Sequence, residues 1–484
     1  MKIFTTSIIA PMRRLLMLLG ILLLVGCAPA RAGTVETFAP TLSPAPSPTP
    51  DPQFRLYVHP DGPLYIGDQV SFEVITPTGY DTHEKKAEVR LGEKLISTAD
   101  FNPYGIAGRQ QATFWWTWDT SALEPGTHML SFAVTPDGPS WQQAVHLYPR
   151  NALSVSEREA RWESVVTQCC ILNYISGTDA ARDIEDLAET ADSLNESLVP
   201  LAGEAGGEKI PVVIMSRTLG HGGFTNGAIY VSYLDRNYAG STFDMVFHHE
   251  SVHWLDRTLG GDLRPTILLE GLAVYEAGGH FKPEPLFPRA AALLSLNWYI
   301  PLRPLVDSFY PSQHEIGYLE AGALVQYLVE TYGWEAFNTF YRDIHPAPSG
   351  LQSDAMDLAL QNHFRLTLDQ LEENFLAHLK AQPVDLSHIE DVRLSVQFYD
   401  TVRRYQQLFD PSAYFQTAWL ADASVMRQKN ITADYLRRPD GILNQYLENL
   451  LVEADASLRS GDTTDTAQRL NALNVMLDIL ENAK

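Results

Sequence analysis

Apolar and polar residues alternate along most of residues 54–150. Each apolar run is short and has a period of two, and turn residues such as Asp61-Gly62 separate the runs. Successive side chains of a β-strand point to opposite faces, so the pattern predicts an antiparallel β-sandwich over residues 53–152. The alternating apolar positions are Phe54, Leu56 and Val58; Val70, Phe72 and Val74; Phe114, Trp116 and Trp118; and Leu130, Phe132 and Val134.

Residues 153–384 mix two periodicities. Apolar runs of strand length are interspersed with stretches in which apolar residues recur every three or four positions, the spacing of an amphipathic helix. Strands followed by several helices predict an α+β domain. The predicted strands cover residues 169–175, 210–215 and 228–231, and the main predicted helices cover about 241–259, 267–277 and 316–332.

The helical spacing alone continues through residues 385–484. Leu470, Leu473 and Leu477, for example, recur at steps of three and four. The expectation is a multidomain protein in which an α-helical packing domain follows the α+β domain. No repeat of 20–50 residues is recognisable in the chain.

Composition narrows the possible partners. The 484 residues are 45% apolar, which supports real cores in more than one domain. The formal net charge of −24 argues against nucleic acid or anionic lipid as the main partner. Three cysteines are too few for a disulfide framework. Cys169 and Cys170 are neighbours in a predicted strand and would point to opposite faces, so we predict two buried thiols.

A targeting segment precedes the predicted domains. A basic start leads into a short apolar run that ends in Leu24-Val25-Gly26-Cys27, which resembles the lipobox of bacterial lipoprotein signal peptides. The resemblance implies that residues 1–26 are removed and that lipid on Cys27 anchors the protein outside the cytoplasm to a bacterial membrane. The Pro-rich residues 27–52 then form an extended linker. An uncut signal anchor is the alternative, and the choice between inner and outer membrane stays open.

One helix carries a chemical motif, His249-Glu250-Ser251-Val252-His253. Residues four apart share a helix face, so both imidazoles can reach one metal ion. Glu250 lies about 100° around the helix and can address a water molecule on that ion. Glu270, seventeen residues beyond His253 and near the start of the next helix, can supply a third ligand. Two imidazoles and one carboxylate predict a single Zn²⁺ with one open position.

The sequence His249-Glu250-x-x-His253 followed by Glu270-Gly271-Leu272-Ala273 resembles the gluzincin metallopeptidases, and among them the peptidase MA-like domains. The resemblance implies that His249, His253 and Glu270 bind zinc and that Glu250 is the general base and then the general acid. It also implies an edge strand that pairs with an extended substrate backbone, for which Ala228, Ile229 and Tyr230 are the candidates.

The same families use a Tyr or a His to stabilise the oxyanion. Tyr318 is the candidate here, with His314 as a weaker rival and a purely packing role for Tyr318 as the alternative. Glu276 either orients a ligand histidine through a hydrogen bond or is a solvated or locally paired carboxylate. The predicted edge strand has no acidic residue, so exopeptidase action is unsupported. His248 and His221 are interpreted as a packing or surface histidine and a loop histidine.

A second resemblance concerns the N-terminal strands. Trp118-Asp119-Thr120 leading to Pro125-Gly126-Thr127 resembles bacterial immunoglobulin-like modules, which implies a spacer or a binding module. The resulting hypothesis is a membrane-tethered zinc metallopeptidase that acts on a peptide or protein. The alternatives are a catalytically silent binding or adhesion lipoprotein and a zinc hydrolase of a non-peptide amide or ester. The oligomeric state is left open.

Overall fold

The protein is described by a computed structural model. It covers residues 53–104, 109–202, 208–216, 222–233, 235, 237–238, 240, 242–259, 261–312, 314–416 and 423–482. The predicted signal peptide, Cys27 and the Pro-rich linker lie outside these residues, and so does His221. Within the described ranges, no helix has the length and apolar character needed to cross a membrane. The described residues all belong to one compact unit, Thr49–Lys484.

A large curled β-sheet forms the N-terminal region. Its strands lie in the order β1-β3-β6-β5-β4-β7-β8-β2, and the long β5 pairs with β4 through one half and with β6 through the other. The strands are β1 Arg55–His59, β2 Leu64–Tyr65, β3 Gln69–Ile75, β4 Lys86–Leu91, β5 Lys94–Tyr104, β6 Arg109–Asp119, β7 Gly126–Thr135 and β8 Ser140–Tyr148.

Most of the alternating apolar residues fill the inside of this curl, but Trp116, where the register of β6 shifts, packs in a separate core with Met426. Phe72 lies edge-on to Phe114 and Phe132, with ring centroids 6.5 and 5.4 Å away. All three side chains are fully buried, as the period of two requires when one sheet face is covered. The prediction of an N-terminal β region with an alternating core is therefore confirmed.

A second, smaller sheet follows a 3-10 turn and a short helix. The strand order is β12-β13-β11-β10-β9, with parallel pairing of β10, β11 and β13 and antiparallel pairing at both edges. Along the chain, helices connect the parallel strands β10 and β11, as parallel pairing requires. The elements are α1 Val155–Glu159, β9 Trp162–Val166, β10 Cys170–Ile175, α2 Asp179–Arg182, α3 Ile184–Ala202, β11 Ile210–Met215, β12 Gly223–Thr225 and β13 Ile229–Ser232.

The strand order corrects one prediction. Ala228, Ile229 and Tyr230 were expected at the sheet edge, but β13 is paired on both sides, with β11 and with β12. Tyr230 is 1% exposed and Ala228 is 3% exposed. The edge strand on this side is Gly223–Thr225. Three residues are too few to show a periodic pattern, so the sequence did not reveal this strand.

Cys169 and Cys170 are joined by a disulfide between adjacent residues, so the prediction of two thiols is wrong. Cys169 lies in the bend before β10 rather than in the strand itself. The alternation that would separate two neighbouring side chains therefore does not apply to this pair.

Eight helices follow in the described chain and build the largest core. The predicted helices at 241–259, 267–277 and 316–332 all form, with ends that differ by at most two residues. Helices α5 and α8 pack side by side in this core. The helices are α4 Phe243–Leu259, α5 Thr266–Ala277, α6 Leu286–Leu296, α7 Leu302–Asp307, α8 His314–Tyr332, α9 Trp334–Arg342, α10 Gln352–Phe364 and α11 Leu368–Lys380.

The C-terminal part is helical, as predicted, and it contacts each of the earlier regions. Arg437 pairs with Asp68 at 2.6 Å, and the Trp116 indole donates to Asp434 at 2.6 Å, which joins this part to the large sheet. Val392 lies in the core that also contains α5 and α8. The helices are α12 Leu386–Phe409, α13 Pro411–Gln416, α14 Ala423–Gln428, α15 Ala433–Leu436, α16 Ile442–Ser460 and α17 Thr463–Glu481.

Candidate metal centre

Helix α4 is held between the small sheet and the helical core. Phe243 and Phe247 pack on the sheet, whereas Val252 and Leu255 belong to the core built by the later helices. The remaining face carries His249 and His253, one helical turn apart. Burial of the helix on two sides therefore fixes the direction of the two imidazoles.

Helix α5 brings Glu270 to the same place. A Cβ on Gly271 would lie 2.4 Å from the carbonyl oxygen of Ala321, and one on Gly322 would lie 2.5 Å from Val274. Both positions therefore require glycine for α5 and α8 to approach this closely. The Gly that follows Glu270 in the motif thus has a packing reason, and it sets the depth at which the carboxylate lies.

The three predicted ligand residues meet at one point. His249 Nε2 and His253 Nε2 are 3.1 Å apart, and Glu270 Oε2 lies 3.4 Å from the first and 3.1 Å from the second. A tetrahedral ion with ligand bonds near 2.0–2.1 Å separates its ligand atoms by about 3.3–3.4 Å. The triangle therefore has the size of one face of a zinc coordination tetrahedron, and its donor set of two imidazoles and a carboxylate suits zinc.

The electrostatics of the cluster agree with a cation site. Burial lowers the pKa of His253, but the Glu270 carboxylate outweighs it and raises that pKa to about 9. Burial raises the pKa of Glu270, but His253 and His249 hold it well below its usual value. A proton on His253 thus supplies the positive charge that a metal ion would supply if one were bound.

Glu250 lies beside the cluster and is oriented by the edge strand. The Thr225 hydroxyl donates to Glu250 Oε2 at 2.8 Å and lies 3.1 Å from the Glu250 carbonyl oxygen. Glu250 is 7% exposed, so few orientations are open to its carboxylate. The last residue of β12 therefore contacts the carboxylate that the motif assigns as general base.

Two tyrosines approach Glu270, and sequence reasoning missed one of them. The Tyr310 hydroxyl donates to Glu270 Oε1 at 2.7 Å from the segment between α7 and α8. Burial and the Glu270 carboxylate raise the pKa of Tyr310, so its hydroxyl keeps its proton. Tyr310 is 44% exposed. It stands in no periodic pattern or motif, so nothing in the sequence singled it out.

Tyr318, the sequence candidate, also lies near the cluster but is deeper. Its ring is stacked on the His280 ring at 3.8 Å and lies 6.2 Å from that of His249. Burial, with Glu270 second, raises its pKa well above the usual value. His314 lies beside it, with ring centroids 4.4 Å apart. The structure therefore brings both oxyanion candidates to the site and adds His280, a residue without a sequence signal.

The other residues singled out from sequence are elsewhere. Glu276 is six residues beyond Glu270, about 240° around the helix, and no described residue joins it to either histidine ligand. Burial raises its pKa to about 7. The structure thus does not place Glu276 behind a ligand. His248 is half-buried, and burial lowers its pKa. It is absent from the triangle of ligand atoms.

The chain was compared with known proteins. No family model matches it, and no curated protein is significantly similar to it.

Proposed function

We propose that this protein is a zinc metallopeptidase of gluzincin type. The observation that supports this most directly is the triangle formed by His249, His253 and Glu270, whose edges of 3.1–3.4 Å suit zinc. The adjacent Glu250 is the second support, because the reaction requires a base beside the metal. The proposal includes the folds. The small sheet with its antiparallel edge strand would belong to a gluzincin domain, and the N-terminal strands, which have an immunoglobulin-like sequence pattern, would form an immunoglobulin-like module.

The residues of this chain have defined roles in the proposed hydrolysis. A bound zinc ion supplies Lewis acidity, which brings the pKa of water toward about 7 and favours negative charge on the attacked carbonyl oxygen. Glu250 accepts the proton of the attacking water and returns it to the leaving amine. Thr225 holds the Glu250 carboxylate. Tyr318, or Tyr310 after its hydroxyl turns away from Glu270, donates to the oxyanion.

The proposed substrate path follows β12. Its outer edge pairs with no other described strand, and its last residue touches Glu250. An extended peptide that adds to this edge would carry its scissile carbonyl toward the cluster. We place the substrate contacts on Gly223, Phe224 and Thr225 instead of residues 228–230, which are buried inside the sheet.

The proposal also includes the membrane tether. The lipobox-like sequence before Cys27 and the Pro-rich linker support an enzyme held outside the cytoplasm by lipid. Mass spectrometry of the protein purified from a bacterial membrane would test this, because Cys27 should be the first residue and should carry acyl chains. A mature chain that retains residues 1–26 would contradict the lipid anchor and favour the signal-anchor alternative.

Metal analysis combined with peptide cleavage tests the activity. The purified unit from residue 49 onward should contain about one zinc per chain and cleave members of a broad peptide library. Glu250→Gln should keep the zinc and lower kcat by about 10²–10⁴-fold, since it removes the general base. His248→Gln is the matched control on the same helix and should change neither quantity.

Each contrary result points to a different alternative. Wild-type protein that binds no zinc contradicts the whole proposal. Zinc binding without cleavage of any peptide favours the silent binding protein. Cleavage of amide or ester model substrates alone favours a non-peptide hydrolase.

A further inference from the structure

The outer face of the large sheet contains a groove. Its lining residues are far in sequence from those of the metal cluster. The groove encloses about 450 Å³ and follows the adjacent strands β5 and β6. Ligand pockets commonly fall between about 300 and 1,000 Å³, so the groove has room for a small molecule or for part of a polymer. Its main lining residues are Thr98, Asp100, Asn102, Gln111, Thr113 and Trp115.

These lining residues form two parallel rows. Every second residue of a strand points to the same face, and Asn102 is paired directly with Gln111 across the two strands. Of these residues, only Asn102 and Gln111 face each other at the strand spacing of about 4.8 Å, because Thr98 and Asp100 pair with β4 instead. Both hydrogen-bond donors and acceptors are present along the rows.

A buried network holds part of this surface in place. Gln111 is 2% exposed, and its amide donates to Glu73 at 2.9 Å and to the Thr113 hydroxyl oxygen at 2.8 Å. Its carbonyl oxygen accepts from Arg109 at 2.8 Å. Since the Thr113 oxygen accepts this bond, its own hydroxyl proton can donate toward the groove. Fixed polar groups of this kind reduce the entropy that a ligand loses on binding.

The charges exclude several ligand classes. Arg109 is paired with Glu73 at 3.0 Å, and the one carboxylate in the rows, Asp100, is paired with Lys86 at 3.0 Å. The groove thus offers no uncompensated positive charge to a phosphate, a sulfate or a nucleic acid. Its mostly polar lining also suits no lipid chain.

Trp115 provides an aromatic surface in the groove. It lines the groove together with Thr113, and the exposed part of its indole ring provides a flat apolar surface. A ligand that matches this groove must combine a flat C–H face with many uncharged hydroxyl groups. A pyranose ring has this combination.

We propose that the groove binds a neutral saccharide, with a sugar ring against Trp115 and its hydroxyl groups on Asn102 and Thr113, the latter held in place by the buried Gln111. The site would attach the protein to a glycan-bearing surface or substrate. The inference does not depend on the proposed peptidase activity, because no residue of the groove belongs to the metal cluster.

An array of neutral oligosaccharides, followed by calorimetry on the strongest ligand, tests the proposal with the unit from residue 49 onward. Trp115→Ala should weaken binding at least tenfold, and Trp115→Tyr should recover most of it. Asn102→Ala, at an exposed position that is unimportant for the core, should weaken binding several-fold. Tyr148→Ala is the control, an aromatic residue 44% exposed on β8 of the same sheet. It should leave the affinity unchanged.

Several outcomes would overturn the inference. They are the absence of binding to any neutral oligosaccharide at millimolar concentration, binding restricted to acidic polysaccharides or peptides, and binding that Asn102→Ala and a folded Trp115→Ala both leave intact. Saccharide binding should persist in Glu270→Gln protein without zinc. Failure of the peptidase proposal and failure of the saccharide proposal therefore give different experimental results.

Discussion

Two buried clusters in this protein combine a glutamate with histidine, yet they differ in what surrounds the carboxylate. Glu73 in the large sheet is 0% exposed, and its two oxygens receive bonds from His59 at 2.9 Å, Gln111 at 2.9 Å and Arg109 at 3.0 Å. Glu270 is 5% exposed and has one oxygen bonded by Tyr310. Its other oxygen faces two imidazole nitrogens that also face each other.

The difference separates a structural cluster from a candidate metal site. Around Glu73, donors of three kinds approach from different directions, so the negative charge is satisfied by the protein itself. Around Glu270, three potential ligand atoms crowd at mutual distances of 3.1–3.4 Å, and a cation at their centre would bind all of them. Both clusters contain a buried glutamate and histidine, and the convergence of potential ligand atoms distinguishes them.

The largest expected effect is on the metal. Glu270→Gln removes the anionic ligand and should lower the zinc content from about one ion per chain to near zero, with activity reduced by more than about 100-fold. Atomic emission and peptide hydrolysis measure the two effects. Glu276→Gln on the same helix is the matched control and should retain zinc. Full zinc content in Glu270→Gln would show that the two clusters do not differ in the way proposed.

The next effect concerns the two tyrosines that are proposed as donors to the oxyanion. Tyr310→Phe should keep zinc and lower kcat by about 10²–10³-fold, the range for loss of one oxyanion donor, with KM little changed. Tyr318→Phe is the direct comparison and should have a smaller effect, because Tyr318 is packed against His280. A larger kcat loss in Tyr318→Phe would assign the role to the original sequence candidate.

The structural cluster should respond in stability instead of activity. His59 and Arg109 lower the pKa of Glu73 despite its burial, so its contribution is present above about pH 4.5 and is lost as the pH falls. Glu73→Gln should lower the free energy of unfolding by about 2–4 kcal/mol, since Arg109 is left without its counter-charge. Urea unfolding at pH 7 measures this, with the exposed Glu93→Gln as control. Zinc loss in Glu73→Gln would contradict the separation of the clusters.

The smallest effect is expected at Glu276, a half-buried carboxylate whose pKa is shifted by burial and by no basic residue of the described chain. Burial raises its pKa to about 7 from 4.5, so the folded state holds the proton more strongly than the unfolded state. Its favourable contribution is complete below about pH 4.5 and is lost as the pH rises through 7. Glu276→Gln should therefore be more stable than wild type at pH 8 by about 1–3 kcal/mol, and close to it at pH 4.5. An equal difference at both pH values would contradict the assigned cause.

The parts of the site that were predictable are local in sequence. His249 and His253 share a helix face by the geometry of the helix, and Glu270 follows on the next helix, after two glycines in the sequence. The helix bounds were also predictable, because apolar spacing and terminal glycines mark them. Tyr310 and His280 were not, since each is a single residue in a connecting segment that reaches the site only through folding.

The strand order could not be predicted from the sequence either. Residues 228–231 have the composition of a buried strand, but whether a strand lies at an edge depends on which other strand pairs with it. The three residues of β12 decide this, and they are too few to show a period. The pairing of Cys169 with Cys170 depends likewise on a bend that shifts one cysteine out of the strand.

The sequence by itself determined the succession of a β region, a mixed region and a helical region, and it marked three candidate ligands and a base. These features depend on periodicity and short spacing, which are properties of neighbouring residues. The tertiary structure decided which strand forms the edge, which tyrosine contacts Glu270 and where polar residues of β5 and β6 form a groove. Those features require residues far apart in the chain to pack together, and no local pattern specifies such contacts.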